Sequence, residues 1–333
     1  MDLLNAIVAI LNYIVLPAAT YGSQLALGAL GITLIFAVLR FSNFAHGDTM
    51  AFGTAFTILF TWAFQAAGIS IAPLPTALLA LPFAILVTIA LVLGTDRAVY
   101  RFYRRKKAAP IILVSVSAGV MFVMNGLVRL IIGTSERNFA DGGRFLIDPK
   151  AFKEITGLAE PLALKVTSAV TISVAVICVA ALFWFLQRTR TGKSMRAFSD
   201  NEDLALLSGI NPDRVVQVTW IIAASLAVIA GTLYGLDKSF RPGIYFGLML
   251  PIFAAAVVGG LGSPIGAIAG GFIVAFSEVF VTYAWKKVAG YLVPADWLGE
   301  GLLQILSTDY KVAVSFSILI IVLLFKPTGL FKR

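Results

Sequence analysis

The chain has 333 residues, of which 59% are hydrophobic and only 13% charged, and its mean hydropathy is +0.92. No ordinary soluble domain approaches that balance, so the class is a polytopic membrane protein. The net charge of +9, which in a soluble protein would suggest nucleic acid, gathers in short loops beside apolar runs and reads as a topology signal.

Apolar runs long enough to span a bilayer lie near residues 22–39, 44–66, 74–94, 110–133, 162–187, 215–236, 244–261, 264–285 and 308–325. Leu3–Ala19 is a shorter run. The first residues lack the basic segment of a signal peptide, so this run is expected to stay in the mature chain. About ten transmembrane helices are expected, with eight or nine as alternatives; nine remain if the first run does not cross. Arg97, Arg101, Arg104, Arg105, Lys106 and Lys107 place six cations in one connection, which positions it in the cytoplasm. Two spans later comes the segment from Arg188 to Arg214, again cytoplasmic, and the basic C-terminal KPTGLFKR follows four spans on. Lys286 and Lys287 fall outside on this count, a conflict of two cations against six. The connection from Gly133 to Glu160 is external and mixes Glu136, Asp141, Asp148 and Glu154 with Arg137 and Arg144. No connection is long enough to bury a core of its own, so residues 1–333 form one transmembrane domain.

His46 is the single histidine. With Asn43 and Asp48 it crowds a short polar stretch between two spans. One histidine and one carboxylate do not make a metal site. The bland reading is a hydrogen-bonded structural histidine; the functional one is a broken helix lining a pathway. Glu278 is the clearest carboxylate at membrane depth, and such a group must face the bundle, a cavity or a partner. Arg129, near a span end, reads as a snorkelling anchor, and Cys178 as packing in an apolar run. No nucleophile, base and orienting group occur together, so catalytic residues are not assigned.

The polar segment RTRTGKSMRAFSDNEDLALLSGINPDRV contains Ser199 and Glu202 at capping-box spacing, which predicts a helix start. Gly209 supplies a left-handed stop and Pro212 forbids continuation, leaving a helix of about two turns. It carries Leu204, Ala205, Leu206, Leu207 and Ile210. An apolar helix this short needs a cover, either its own bundle or a docked partner. Gly192-Lys193-Ser194 resembles the end of a phosphate-binding loop, but Gln187 stands where the first glycine belongs and no strand precedes it. In GGLGSPIGAIAGG, Pro264 suits a first helical turn. Gly262, Gly266 and Gly270 recur every four residues, which predicts a small-residue face for close packing against a neighbouring span or a subunit.

Three stretches, ALGALGITLIFAVLRFSNFAHGDTMAFG, RAFSDNEDLALLSGINPDRV and FAAAVVGGLGSPIGAIAGGFIVAFSE, together resemble the inner-membrane permease subunit of branched-chain amino acid ABC importers, whose signature contains NFAHG. The resemblance implies an all-α permease bundle in the cytoplasmic membrane. It implies four partners as well: a second homologous permease subunit, two cytoplasmic ATPase subunits and an external substrate-binding protein. ATP and Mg2+ would be used by those ATPases, with no cofactor on this chain. The segment 188–214 would hold the coupling helix, with Ala205 and Gly209 matching the family's alanine and glycine positions. Urea and short amides are carried by permeases of the same family. The reading from a different class is an ion-coupled secondary transporter, which requires its own ion-coupling groups at the midplane.

Overall fold

In a computed structural model, which describes residues 2–139, 144–293 and 303–331, the chain is a bundle of long helices. Hydrocarbon offers the backbone no hydrogen-bond partner, so each crossing segment must satisfy its own peptide groups. Seven helices are long and apolar enough to cross a membrane. Five of them precede or include the polar segment's flanks: α1 (Asp2–Leu39), α3 (Ala77–Arg105), α4 (Pro110–Ile132), α6 (Val166–Arg188) and α9 (Pro212–Lys238). Two helices outside that set of seven also belong to the bundle. They are α2 (His46–Ala66) and α10 (Ile244–Gly259). The remaining long helices are α11 (Pro264–Thr282) and α13 (Lys311–Phe325), the latter entered through a 3₁₀ turn at Thr308–Tyr310. A short strand pair, β1 (Phe145–Ile147) with β2 (Leu164–Lys165), and the amphipathic α5 (Pro149–Thr156) fill the long connection between α4 and α6. The polar segment folds as α7 (Arg190–Asp200) and α8 (Glu202–Leu207), and α12 (Lys286–Leu292) sits after α11.

The helix count differs from expectation at the N-terminus. Leu3–Ala19 and 22–39 are one helix of 38 residues, not two spans. A π-helical turn at Leu11–Val15 lies just before Pro17. Proline's ring and missing N–H would break an undisturbed α-helix, and the wider turn lets the rod continue. At the usual rise the rod is about 57 Å long, nearly twice a hydrocarbon core of about 30 Å. Its first turns are held at one end of the bundle: the Asn5 side chain accepts from Ala159 N at 3.0 Å, the Asn12 side chain accepts from Ala163 N at 3.1 Å, and Ala6 and Ala9 pack with Val288 of α12.

The two ends of the bundle are chemically distinct. At one end Arg40 meets α7, Arg101 pairs with Asp213 at 2.9 Å, and Leu330 N bonds Val258 O. At the other, Trp62 bonds Asn138 O and Arg137 forms a two-way backbone bridge with Phe240. The six-cation connection and α7–α8 therefore share an end. Lys287 sits at the opposite end, 2.9 Å from Glu160 and bonded to the Tyr13 hydroxyl. Asp141 lies outside the described residues.

α1 is the central post, with 94% of its apolar window buried against 11% for the last span. Close backbone contact places α11 beside it and α10 beside α11. A Cβ on Gly266 would lie 2.1 Å from Gly259 O, one on Gly270 would lie 2.0 Å from Ala255 O, and one on Gly271 would lie 2.7 Å from Ala26 N. Gly266 and Gly270 thus let α11 touch α10, a neighbouring span. Gly262 does not belong to this face. It precedes the helix, whose N-cap is Ser263, and has a φ of +89° with open space where a Cβ would point. Its role is the left-handed turn.

Candidate functional site

α7 begins where Thr189 caps it, its side chain accepting from Gly192 N at 3.0 Å. The corner is tight: a Cβ on Gly192 would lie 2.2 Å from Phe185 O. Met195 and Phe198 anchor α7 in the core. The capping box expected from Ser199 and Glu202 does not form, because α7 continues through Ser199 to Asp200 and its own ladder closes with Asn201 N to Ala197 O. The chain turns at Asn201 (φ −150°), whose side chain accepts from Leu204 N at 3.0 Å. Asn201 is therefore the cap, and Glu202 becomes the first helical residue, with its carboxylate at the favourable end of the helix dipole.

α8 stops at Gly209, with a φ of +79°, where Gly209 N reaches Leu206 O and Ile210 N reaches Ala205 O. These two bonds satisfy carbonyls that would otherwise end the helix unpaired. Ala205 is 3% exposed and Ile210 packs on the core, whereas Leu204, Leu206 and Leu207 are 61%, 42% and 84% exposed. Only the alanine side of α8 packs inward. The three leucines form an uncovered apolar patch at the basic end.

Arg40 connects this segment to the interior. It caps α1 in the left-handed region, with φ 57°, and its guanidinium donates to the Ser199 carbonyl at the end of α7. Residues 40–45 then turn back into the bundle. The Asn43 side chain accepts from Ala45 N and from the Tyr100 hydroxyl, each at 3.2 Å. Tyr100 stacks on Trp220, and Trp220 Nε1 donates to Asp96 at 2.7 Å while Arg104 pairs with the same carboxylate. The elbow is thereby tied to α3 by a buried hydrogen bond, and α3 to α9 by ring stacking and the Trp220–Asp96 bond. His46 is 1% exposed against Gly31, and its Nε2 has no hydrogen-bond partner among the described residues. Asp48 accepts from Asn125 of α4 at 2.8 Å.

Asn43, His46 and Asp48 therefore lie together around the start of α2. Glu278 does not join them. It is buried in α11, accepts from the Ser315 hydroxyl of α13, and lines a cavity of about 640 Å3 that includes Ala163 and Lys165 of the opposite end. The leucine patch is separate from both groups. Sequence reasoning missed Arg40, Asn201 and the Asp96 network. A single carboxylate at the head of a run of cations was a usable signal for Asp96, because burial of either charge demands the other.

The family model described as branched-chain amino acid transport system / permease component matches residues 14–323. The high-affinity branched-chain amino acid transport system permease protein LivH of Escherichia coli (strain K12) is 32% identical over 321 residues, 94% of this chain and 93% of that protein. The corresponding permease protein BraD of Pseudomonas aeruginosa is 30% identical over 321 residues, with the same shares of both chains. A probable LivH of Methanocaldococcus jannaschii is 27% identical over 319 residues, 94% of this chain and 90% of that one. No solved structure matches. Apolar helices of spanning length, together with a full-length permease match, make this a multi-pass protein of the cytoplasmic membrane, and the chain belongs to the branched-chain amino acid transport system permease family.

Proposed function

We propose that this chain is a permease subunit of an ABC importer that moves branched-chain amino acids inward, and that α7–α8 is where ATPase movement enters it. The observation that carries the reading is the patch of Leu204, Leu206 and Leu207 on a capped helix too short to stand alone, at the end of the bundle that gathers the cations. That end is cytoplasmic, and the leucines fit a groove on an ATPase subunit. Ser199, Glu202, Ala205, Gly209 and Ile210 support the patch: the first by its carbonyl contact with Arg40, the others by starting, seating and stopping α8.

Closure of two partner ATPases around ATP and Mg2+ would tilt α7–α8 as a unit. Arg40 would pass that tilt to the 40–45 elbow, where Asn43, His46 and Asp48 sit among α1, α2 and α4. A second permease subunit completes the membrane unit, and an external binding protein delivers the amino acid. The chain itself performs no chemistry. Vesicles holding the purified complex, with the binding protein outside, should accumulate radiolabelled leucine only when ATP and Mg2+ are inside. Accumulation driven by an ion gradient without ATP would instead mark a secondary transporter. Uptake of urea but not leucine would keep the machine and change its substrate.

A further inference from the structure

Among the described residues, the cavity lined by Glu278 has both signs of charge on a wall that mixes apolar side chains with hydroxyls and the Asn12 amide, and nothing in the coupling scheme uses it. Its volume is about 640 Å3, within the range of small-molecule sites. Two carboxylates face it, Glu278 of α11 and Asp237 of α9, as do Lys311 of α13, Lys238 of α9 and Lys165 of β2. Glu278 is fixed rather than mobile: Ser315 donates to it and the Tyr21 hydroxyl stands beside it. Lys311 lies 5.1 Å from the centre of the Tyr21 ring, so the ammonium and the carboxylate flank one tyrosine. Leu248, Pro251 and Val279 supply the hydrocarbon floor. Lys165, Asp237 and Lys238, at the external ends of their elements, form the mouth.

We propose that this cavity is an external-side binding site for a free zwitterionic amino acid, with Glu278 meeting the ammonium, Lys311 meeting the carboxylate, and the floor taking an apolar side chain. Asp237 and Lys238 of α9 pair with each other at 3.3 Å, whereas Glu278 on α11 and Lys311 on α13 hold opposite charges on separate helices, which suits a ligand carrying both, because neither end of a zwitterion can then be desolvated without a partner. The proposal rests on the permease reading and adds the place where solute leaves its delivery protein and enters this chain. The same charges would also fit the headgroup of a phosphatidylethanolamine lipid, so the test must separate the two.

The whole importer is reconstituted in nanodiscs with Cys178→Ala and one new cysteine at the cavity mouth, Ser168→Cys, and alkylated from outside by an impermeant maleimide. L-leucine at about four times its dissociation constant should slow alkylation about fivefold, since only the empty fraction reacts. An aliphatic amine or a branched carboxylic acid alone should need concentrations about tenfold higher or more, each lacking one charge-assisted contact. Glu278→Gln and Lys311→Met, separately, should raise the leucine concentration for half-protection by about tenfold or more. The isosteric glutamine keeps the Ser315 contact, so misfolding does not explain its loss of protection; assembly is checked by co-purification. If the same complex imports leucine yet leucine never slows alkylation, the cavity proposal is overturned and the permease reading stands. If alkylation depends on phosphatidylethanolamine in the disc and not on leucine, the occupant is a lipid headgroup and the proposal is also overturned. Failure of the complex to import leucine strikes the permease reading itself.

Discussion

Gly270→Ala is the sharpest test of how this bundle is packed. The new Cβ would sit 2.0 Å from the Ala255 carbonyl oxygen and 3.0 Å from Gly259 N. Both obstacles are backbone, so no side chain can swing aside. A carbon and a carbonyl oxygen require about 3.3 Å, the lower limit even for a weak C–H···O contact. The helices α10 and α11 must therefore separate by about 1 Å or bend. A gap of that size forfeits up to about half the dispersion energy of the atoms that lose contact, and overpacking of a filled interior costs about 1–3 kcal/mol. Against this, alanine recovers about 1 kcal/mol of helix propensity relative to glycine. The control is Gly126→Ala in α4, where nothing lies within 4 Å of the added Cβ; it gains the propensity and meets no obstacle. Thermal unfolding of the detergent-solubilised complex, followed by size-exclusion recovery after heating, should show Gly270→Ala destabilised and Gly126→Ala neutral or slightly stabilised. Equal recovery of the two variants would refute the close approach of α10 and α11.

Arg40→Gln should leave the bundle folded but uncouple it: ATPase activity persists in the complex while leucine uptake falls at least about tenfold, the loss of a charged hydrogen bond to the Ser199 carbonyl. Uptake that tracks the ATPase rate would remove Arg40 from the path. In a Cys178→Ala background, single cysteines at Lys106 and Lys193 should be shielded from an impermeant maleimide added to intact cells, while one at Glu154 in exposed α5 reacts; labelling at Lys106 would invert the topology. The external clip of Glu136 with Ser239 and Arg241 should loosen in acid. Hydrogen bonds from Ser239, then from Arg241, lower the Glu136 pKa from 4.5. The clip's contribution is therefore complete above that value and disappears as pH falls through the lowered one. Acid-induced proteolysis near residue 239 should follow this order, and Arg241→Gln should shift the transition upward toward the ordinary glutamate range.

Much of this architecture was legible because membrane insertion imposes local, repetitive demands. Span lengths, the basic end and the stop at Gly209 are each written in consecutive residues. The contact of Gly266 and Gly270 was legible as well, since small residues four apart share a helix face. What the chain concealed depends on competition or on distance. The runs 3–19 and 22–39 read as two, yet Thr20 and Tyr21 between them stay helical and the π turn before Pro17 lets the whole form one rod. Ser199 and Asn201 are both good caps, and the longer reach of α7 decides between them in favour of Asn201. Gly262 fits the four-residue spacing but lies before Ser263, the true helix start. Arg40 meets Ser199 across 159 positions of sequence, and Glu278 meets Ser315 from another helix. No periodicity encodes such pairs, and they are what join the coupling segment and the cavity to the rest.

The central claim, that α8 receives an ATPase, is tested most directly by Leu207→Asp. Leu207 is 84% exposed on this chain, so its replacement leaves the subunit's own interior untouched. In the complex, burying a leucine contributes about 1.5–3 kcal/mol, and an unpaired carboxylate in its place adds a desolvation penalty on top. The two together should weaken ATPase association by at least about a hundredfold. Co-purification in mild detergent should then recover the variant permease from the membrane at near-normal level with its ATPases missing and leucine uptake abolished. Retention of the ATPases and of wild-type uptake would contradict the assignment.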